Sequence, residues 1–310
     1  MAMKVRALHA MSRAHSDKPQ PETDPARRGG RPNVETLSGP APPFKTARRR
    51  AAAQASAVAA GVLLLSALSA AEEAGDAVRF RAPLLPGVGA HDPRVRLDPA
   101  AIPWRAVGKL QSVTINLRQY CTASLVGPAL VLTAAHCIFD RRTQKNFLPA
   151  SIHFLIGYDG GVHAGHAVGV AVETGPGYDP ARPIDTIGSD WALISLDTRL
   201  GSADRILPIY GEKVTIGSVV MLGGYQQDHP LILSADIGCR IVGRFVDANG
   251  RDLLRHNCAG AGGASGAPLL MEKGGKWYLA GVDAAAEPGV AAGIAVVPDE
   301  ARAHIPRGNF

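Results

Sequence analysis

The chain has 310 residues, 46% of them hydrophobic, so a sizeable core is available; a folded region of about 230 residues buries roughly 70–75% of its unfolded surface. The net charge of +6 invites a nucleic-acid reading, but residues 1–50 hold 11 Lys/Arg against four Asp/Glu, an excess of seven that leaves the rest of the chain at −1. The body of the protein therefore lacks the positive footprint that phosphate binding requires, and no nucleic acid is expected as a partner.

Residues 1–50 are basic, rich in Pro and poor in large apolar side chains, a composition that predicts disorder. Arg48, Arg49 and Arg50 abut an uncharged, Ala-rich stretch over residues 51–71. A positive region followed by a short apolar run and small residues describes an export signal, with Ser69-Ala70-Ala71 as a cleavage site. The stretch also reaches the minimum length of a membrane span, so an uncleaved anchor is the alternative. The long segment ahead of the arginines is unusual for a signal and is compatible with translation starting downstream of Met1. The expected location is secreted or periplasmic, with membrane attachment only through residues 51–71.

The 35 Gly and 23 Pro favour turns and short strands over long helices. β-rich runs punctuated by Gly, Pro, Asp or Asn begin near Gln119. They include 130–132, 152–156, 167–172, 191–196, 218–222, 240–246, 277–282 and 294–297. Helix is predicted only as a turn near His136 and over Asp299 to His304. This pattern predicts an all-β barrel or sandwich class, with a boundary between two similar halves near Leu200 to Pro208. The folded part is expected to span residues 77–310, its first half about 100–203 and its second about 204–300. It is expected to work as a monomer.

Four cysteines, Cys121, Cys137, Cys239 and Cys258, lack the short spacing of a zinc or redox site. Behind an export signal, disulfides are the expected state, and sequence order suggests Cys121–Cys137 and Cys239–Cys258. Four buried free thiols are the alternative. His163 and His166 in H-A-G-H, with no third ligand nearby, read as a solvated loop, so no metal is expected. Asp179 and Asp185 read as turn residues rather than calcium ligands. His256 reads as a surface or loop residue, and Trp191 as core.

Three segments carry chemistry. Cys121 to Cys137 leads a strand and hairpin into T-A-A-H-C, which presents His136. Gly188-Ser189-Asp190 opens an apolar strand with a carboxylate. Gly263-Ala-Ser265-Gly-Ala-Pro268 sets a serine in a glycine-rich loop before another strand. A serine hydroxyl needs a neighbouring base, and histidine, with a pKa near neutrality, suits that task. A buried carboxylate fixes the imidazole tautomer. Glycine lets backbone N–H groups turn toward a developing oxyanion, and the amides of Gly263 and Ser265 are the candidate donors.

T-A-A-H-C, D-x-A-L and G-x-S-G-x-P in that order resemble the trypsin/chymotrypsin family of serine proteases, over roughly Pro103 to Pro298. The resemblance implies two antiparallel six-stranded β-barrels with the active site between them. His136 and Asp190 would come from the first barrel and Ser265 from the second. It implies a peptide or protein substrate, acyl transfer through Ser265 and no cofactor. It also implies that Cys121–Cys137 staples the histidine loop, while Cys258 lies farther from the serine than the nearest cysteine of trypsin. A pseudoprotease that only binds, and an esterase on the same fold, are the rival readings.

The chain departs from trypsin at Ala264, where zymogens of that type carry an aspartate that pairs with a new N-terminus. No basic residue followed by I-V-G-G precedes the first barrel either. In this it is closer to the bacterial branch that includes glutamyl endopeptidases. Activity is accordingly expected not to depend on a defined new N-terminus, so residues added before Ala77 should leave turnover unchanged. By resemblance, the walls of the substrate pocket are Ala259 to Gly263 and Gly281 to Ala286, with Ala259, Asp283, Ala284 and Ala286 as lining candidates. Ala259 stands where trypsin has its pocket aspartate, so a preference for Arg or Lys is not inherited. Asp283 is either a pocket carboxylate favouring a basic or polar side chain or, preferably, a strand-end aspartate facing solvent.

Overall fold

The computed structural model describes residues 85–306; the basic leader and the 51–71 segment lie outside the described residues. The elements in chain order are β1 (Val95–Arg96), β2 (Val107–Thr114), β3 (Leu117–Gly127), β4 (Leu130–Thr133), β5 (Phe139–Asp140), β6 (Lys145–Asn146), β7 (Ile152–Ile156), β8 (Gly165–Thr174) and β9 (Ala192–Leu196). They continue with β10 (Val219–Gly224), β11 (Ser234–Val246), β12 (Asp252–His256), β13 (Pro268–Lys273), β14 (Lys276–Ala286), β15 (Gly293–Val296) and the single described α-helix, α1 (Asp299–His304). Among the described residues no helix is long and apolar enough to cross a membrane.

The strands close into two six-stranded antiparallel barrels, the chymotrypsin-type all-β fold. The first runs β2-β3-β4-β9-β8-β7. The second runs β10-β11-β12-β15-β14-β13, with β1 added at β11. Closure leaves few free sheet edges. Alternation specifies which side chains fill the barrels: along β7, Ile152, Phe154 and Ile156 point inward and His153 and Leu155 lie partly exposed. Leu110, Leu125, Leu132, Ile138 and Ile194 complete the first core, each contributing roughly 1.5–3 kcal/mol by burial. Leu222, Ile241, Leu254, Leu269 and Ala295 fill the second.

One register decides where the chemistry falls. Antiparallel pairing of β4 with β9 sets Thr133 opposite Ala192. His136 lies three residues beyond the end of β4, and Asp190 two residues before the start of β9. Both therefore emerge at the same end of the first barrel. Ser265 lies three residues before β13 of the second barrel.

Candidate active site

His136 sits in a 3₁₀ turn, Ala135–Ile138, fastened from behind by the Cys121–Cys137 disulfide. Asp190 caps a second 3₁₀ turn, Ile187–Ser189, and its side chain is 5% exposed. Both of its carboxylate oxygens bind the histidine residue. Oδ1 accepts the backbone N–H of His136 at 2.9 Å, and Oδ2 lies 2.7 Å from His136 Nδ1. A carboxylate cannot donate, so Nδ1 carries the proton and Nε2 presents its lone pair in the neutral ring. Burial works against the charged imidazolium, but the Asp190 charge and hydrogen bond outweigh it, with Asp283 adding and Arg141 opposing; the net effect raises the His136 pKa.

Ser265 lines one cleft with His136 and Asp190, together with Arg141, Tyr178, Ile184 and Ala284 to Ala286. Among the described residues, Ser265 Oγ and His136 make no hydrogen bond, as is common before substrate tightens such contacts. A larger groove elsewhere, lined by Leu130, Val172 and Leu193, also carries Ser195 and a Glu173–His304 contact of 2.8 Å, but there both the histidine and the carboxylate are about half exposed, so the imidazole is not held by a buried carboxylate as His136 is.

The serine loop is held from both barrels. Thr122, on β3, donates its N–H to the Ser265 carbonyl at 2.9 Å and its hydroxyl to the Gly263 carbonyl at 3.0 Å. The same hydroxyl accepts the N–H of Tyr225 at 2.9 Å. On the other side, Gly266 N–H donates to the Asp283 carbonyl at 2.8 Å, and Asp283 N–H to the Ala267 carbonyl at 2.9 Å. Gly266 has φ +80°, and a Cβ there would come within 2.3 Å of the Thr122 carbonyl, so only glycine fits. Gly263 adopts φ +90°. Among the described residues, the N–H groups of Gly263 and Ser265 have no partner within the protein. Thr122 was not singled out in the sequence; the only signal was its place beside Cys121.

Two expectations need correction. Asp283 does not face solvent: it is 5% exposed, and its Oδ1 lies 3.0 Å from Nε2 of His256. Burial pushes its pKa up, the hydrogen bond from His256 pulls it down, and the net is a rise. His256 is not a surface or loop residue either, being 1% exposed on β12. Its Nδ1 accepts the N–H of Cys258 at 3.3 Å, which leaves Nε2 to donate to Asp283. The missing side chain of Gly293 makes room for the ring. A polar pair of this kind is tolerated inside because each partner satisfies the other.

The other candidates fall as follows. Ala284 and Ala286 line the cleft, whereas Ala259 is fully buried and turns its N–H to Asp236 Oδ2 at 3.0 Å. Cys239 and Cys258 are bonded, so all four cysteines are paired in the expected order. His163 and His166 are exposed, but His166 belongs to β8, and its Nε2 lies 2.9 Å from His153 Nδ1. Asp179 accepts the N–H of Ala181 in a turn, and Trp191 is 1% exposed.

Two closed antiparallel barrels, with a histidine held by a buried aspartate on one and a serine loop on the other, define a chymotrypsin-type serine-protease scaffold. The family model described as Trypsin matches residues 96–297, and the chain belongs to that family. Among solved structures, it is similar to a Glu endopeptidase in complex with MPD, with 17% identity, TM-score 0.57, and 70% of this chain and 96% of that one covered. It is similar to the protease Anisep from Arthrobacter nicotinovorans, with 15% identity, TM-score 0.51, and coverage of 66% and 93%. It is also similar to the thermostable serine protease AL20 from an extremophilic microorganism, with 19% identity, TM-score 0.50, and coverage of 62% and 91%. At these identities the likeness shows the fold alone. A search of curated protein sequences finds no match.

Proposed function

We propose that the protein is a serine endopeptidase acting through an acyl-enzyme on Ser265. The observation that carries this reading is the commitment of both Asp190 oxygens to His136, which leaves Nε2 as the free base in a cleft shared with Ser265. Ser265 Oγ attacks the scissile carbonyl while His136 Nε2 takes its proton. The resulting oxyanion is stabilised by the N–H groups of Gly263 and Ser265, and Asp190 stabilises the imidazolium. His136 then protonates the leaving amine as the C–N bond breaks. Water, deprotonated by His136, releases the acyl group and regenerates the serine. The two formed disulfides agree with an exported protein, secreted or periplasmic.

The test is hydrolysis of a peptide library by the full chain and by Ser265→Ala. Cleavage by the wild type alone is expected. Equal cleavage by both overturns the assignment, and turnover of esters without peptides places the chain among esterases.

A further inference from the structure

The segment ahead of the first barrel packs on the second barrel and ties together the two candidate pocket walls, Ala259 to Gly263 and Gly281 to Ala286. Gly87 is the meeting point. Its carbonyl accepts the N–H of Gly260 on one wall at 2.8 Å. Its own N–H donates at 2.9 Å to the carbonyl of Glu287, the residue that follows the other wall. The fit is close: at φ +80°, a Cβ on Gly87 would lie 2.1 Å from the Gly260 oxygen and 2.8 Å from the Ala286 Cβ. Val88, next in line, is 5% exposed.

A second tie lies seven residues on. The side chain of Arg94 is 2% exposed and is neutralised by Asp92 and Asp228. Its Nη1 donates to Gln226 Oε1 at 2.5 Å, and the same oxygen accepts the N–H of Ala261 at 2.6 Å. A buried guanidinium with both charge partners in place is rigid and costly to disturb. Strand β1 then fixes the segment to β11. Of the three consecutive amides at 259, 260 and 261, one binds this segment directly and one binds it through Gln226. Ala264, buried and without a charge, offers no ionic latch of its own.

We infer that residues 87–94 form a built-in strap holding the two pocket walls at their working separation, with Gly87 and Arg94 as positioning residues for peptide turnover. The inference rests on the serine-endopeptidase reading and adds its regulation. The pocket is assembled by an internal segment, so the chain is competent whatever precedes residue 85, and loses peptide binding when the strap is disturbed.

The experiment compares the full chain with Gly87→Ala, Arg94→Gln and, as a control, Gly274→Ala. Gly274 also has positive φ, but a Cβ there meets nothing within 4 Å. kcat and KM on peptides are read beside the rate of fluorophosphonate labelling, which needs the nucleophile and oxyanion donors but little of the pocket. We expect Gly87→Ala and Arg94→Gln to lose on the order of 10²-fold in kcat/KM, carried mainly by KM. Labelling should stay within about tenfold of wild type, and Gly274→Ala should match wild type. If circular dichroism shows Gly87→Ala unfolded, Arg94→Gln carries the test. Wild-type KM in a strap variant overturns the strap. So does a full chain that turns over peptides only after being cut to a new N-terminus. A folded wild type that neither labels nor cleaves overturns the endopeptidase reading itself.

Discussion

The N–H of Thr122, on the first barrel, donates to the carbonyl of Ser265, on the second, at 2.9 Å. With the Thr122 hydroxyl on Gly263, this bond sets the serine loop relative to a strand whose neighbouring Cys121 is bonded to Cys137, beside His136. His136 and Ser265, the proposed base and nucleophile, are thus referenced to adjacent residues of one strand although they belong to different barrels.

Thr122→Val keeps the shape and removes the hydroxyl. The buried N–H of Tyr225 then loses its acceptor, at a cost of about 1–3 kcal/mol. For a domain of this size that lowers Tm by about 2–4 °C per kcal/mol. We expect kcat to fall by about tenfold or more with KM little changed, since the oxyanion donors flank the released carbonyl. Thr122→Ser should restore both. Steady-state kinetics beside thermal melts check this, and a wild-type kcat in the valine variant would show that the loop is held without the hydroxyl.

Asp190→Asn should leave the fold intact and lower kcat by about 10⁴, because an amide NH₂ cannot accept from Nδ1–H and favours the wrong tautomer. Circular dichroism with peptide kinetics separates loss of chemistry from loss of structure. A loss under tenfold would remove Asp190 from the mechanism.

The pH profile carries a sign for two further residues. In the proposed mechanism neutral His136 is the base, so kcat/KM should rise with pH through its pKa, which lies above the ordinary value of about 6.5. The Asp283 charge favours the imidazolium and the Arg141 charge opposes it. Asp283→Asn should therefore shift the acid limb to lower pH, and Arg141→Ala should shift it to higher pH. Opposite shifts are the expected result; shifts in the same direction would contradict this arrangement of charges.

Replacing Cys121 and Cys137 together by serine opens a loop of 16 residues and should cost about 3 kcal/mol. Melts of the variant, and of wild type with and without reductant, measure it. An unchanged Tm would mean that packing alone holds the histidine turn.

The three segments that meet in the candidate cleft were legible because each is local in sequence. T-A-A-H-C, the aspartate before Trp191 and the G-x-S-G loop each lie within a few residues, and their order supplies the rest. Strand β7 and helix α1 fall where alternation and turn residues placed them. What escaped depends on distant pairing. Strand β12 reads Asp-Leu-Leu-Arg-His, too polar to register as a strand, yet it pairs with both β11 and β15, buries Leu253 and Leu254, and sets His256 against Asp283 27 residues later. The contact of Gly87 with Gly260 and Glu287 is equally invisible to any local pattern.

The most direct test of the central claim is treatment of the folded full chain with a fluorophosphonate probe, followed by mass mapping of the adduct in wild type, Ser265→Ala and His136→Ala. One adduct is expected in the wild type, on the peptide containing Ser265, and none in either variant. A folded wild type that stays unlabelled, or a label that persists in Ser265→Ala, would contradict that claim.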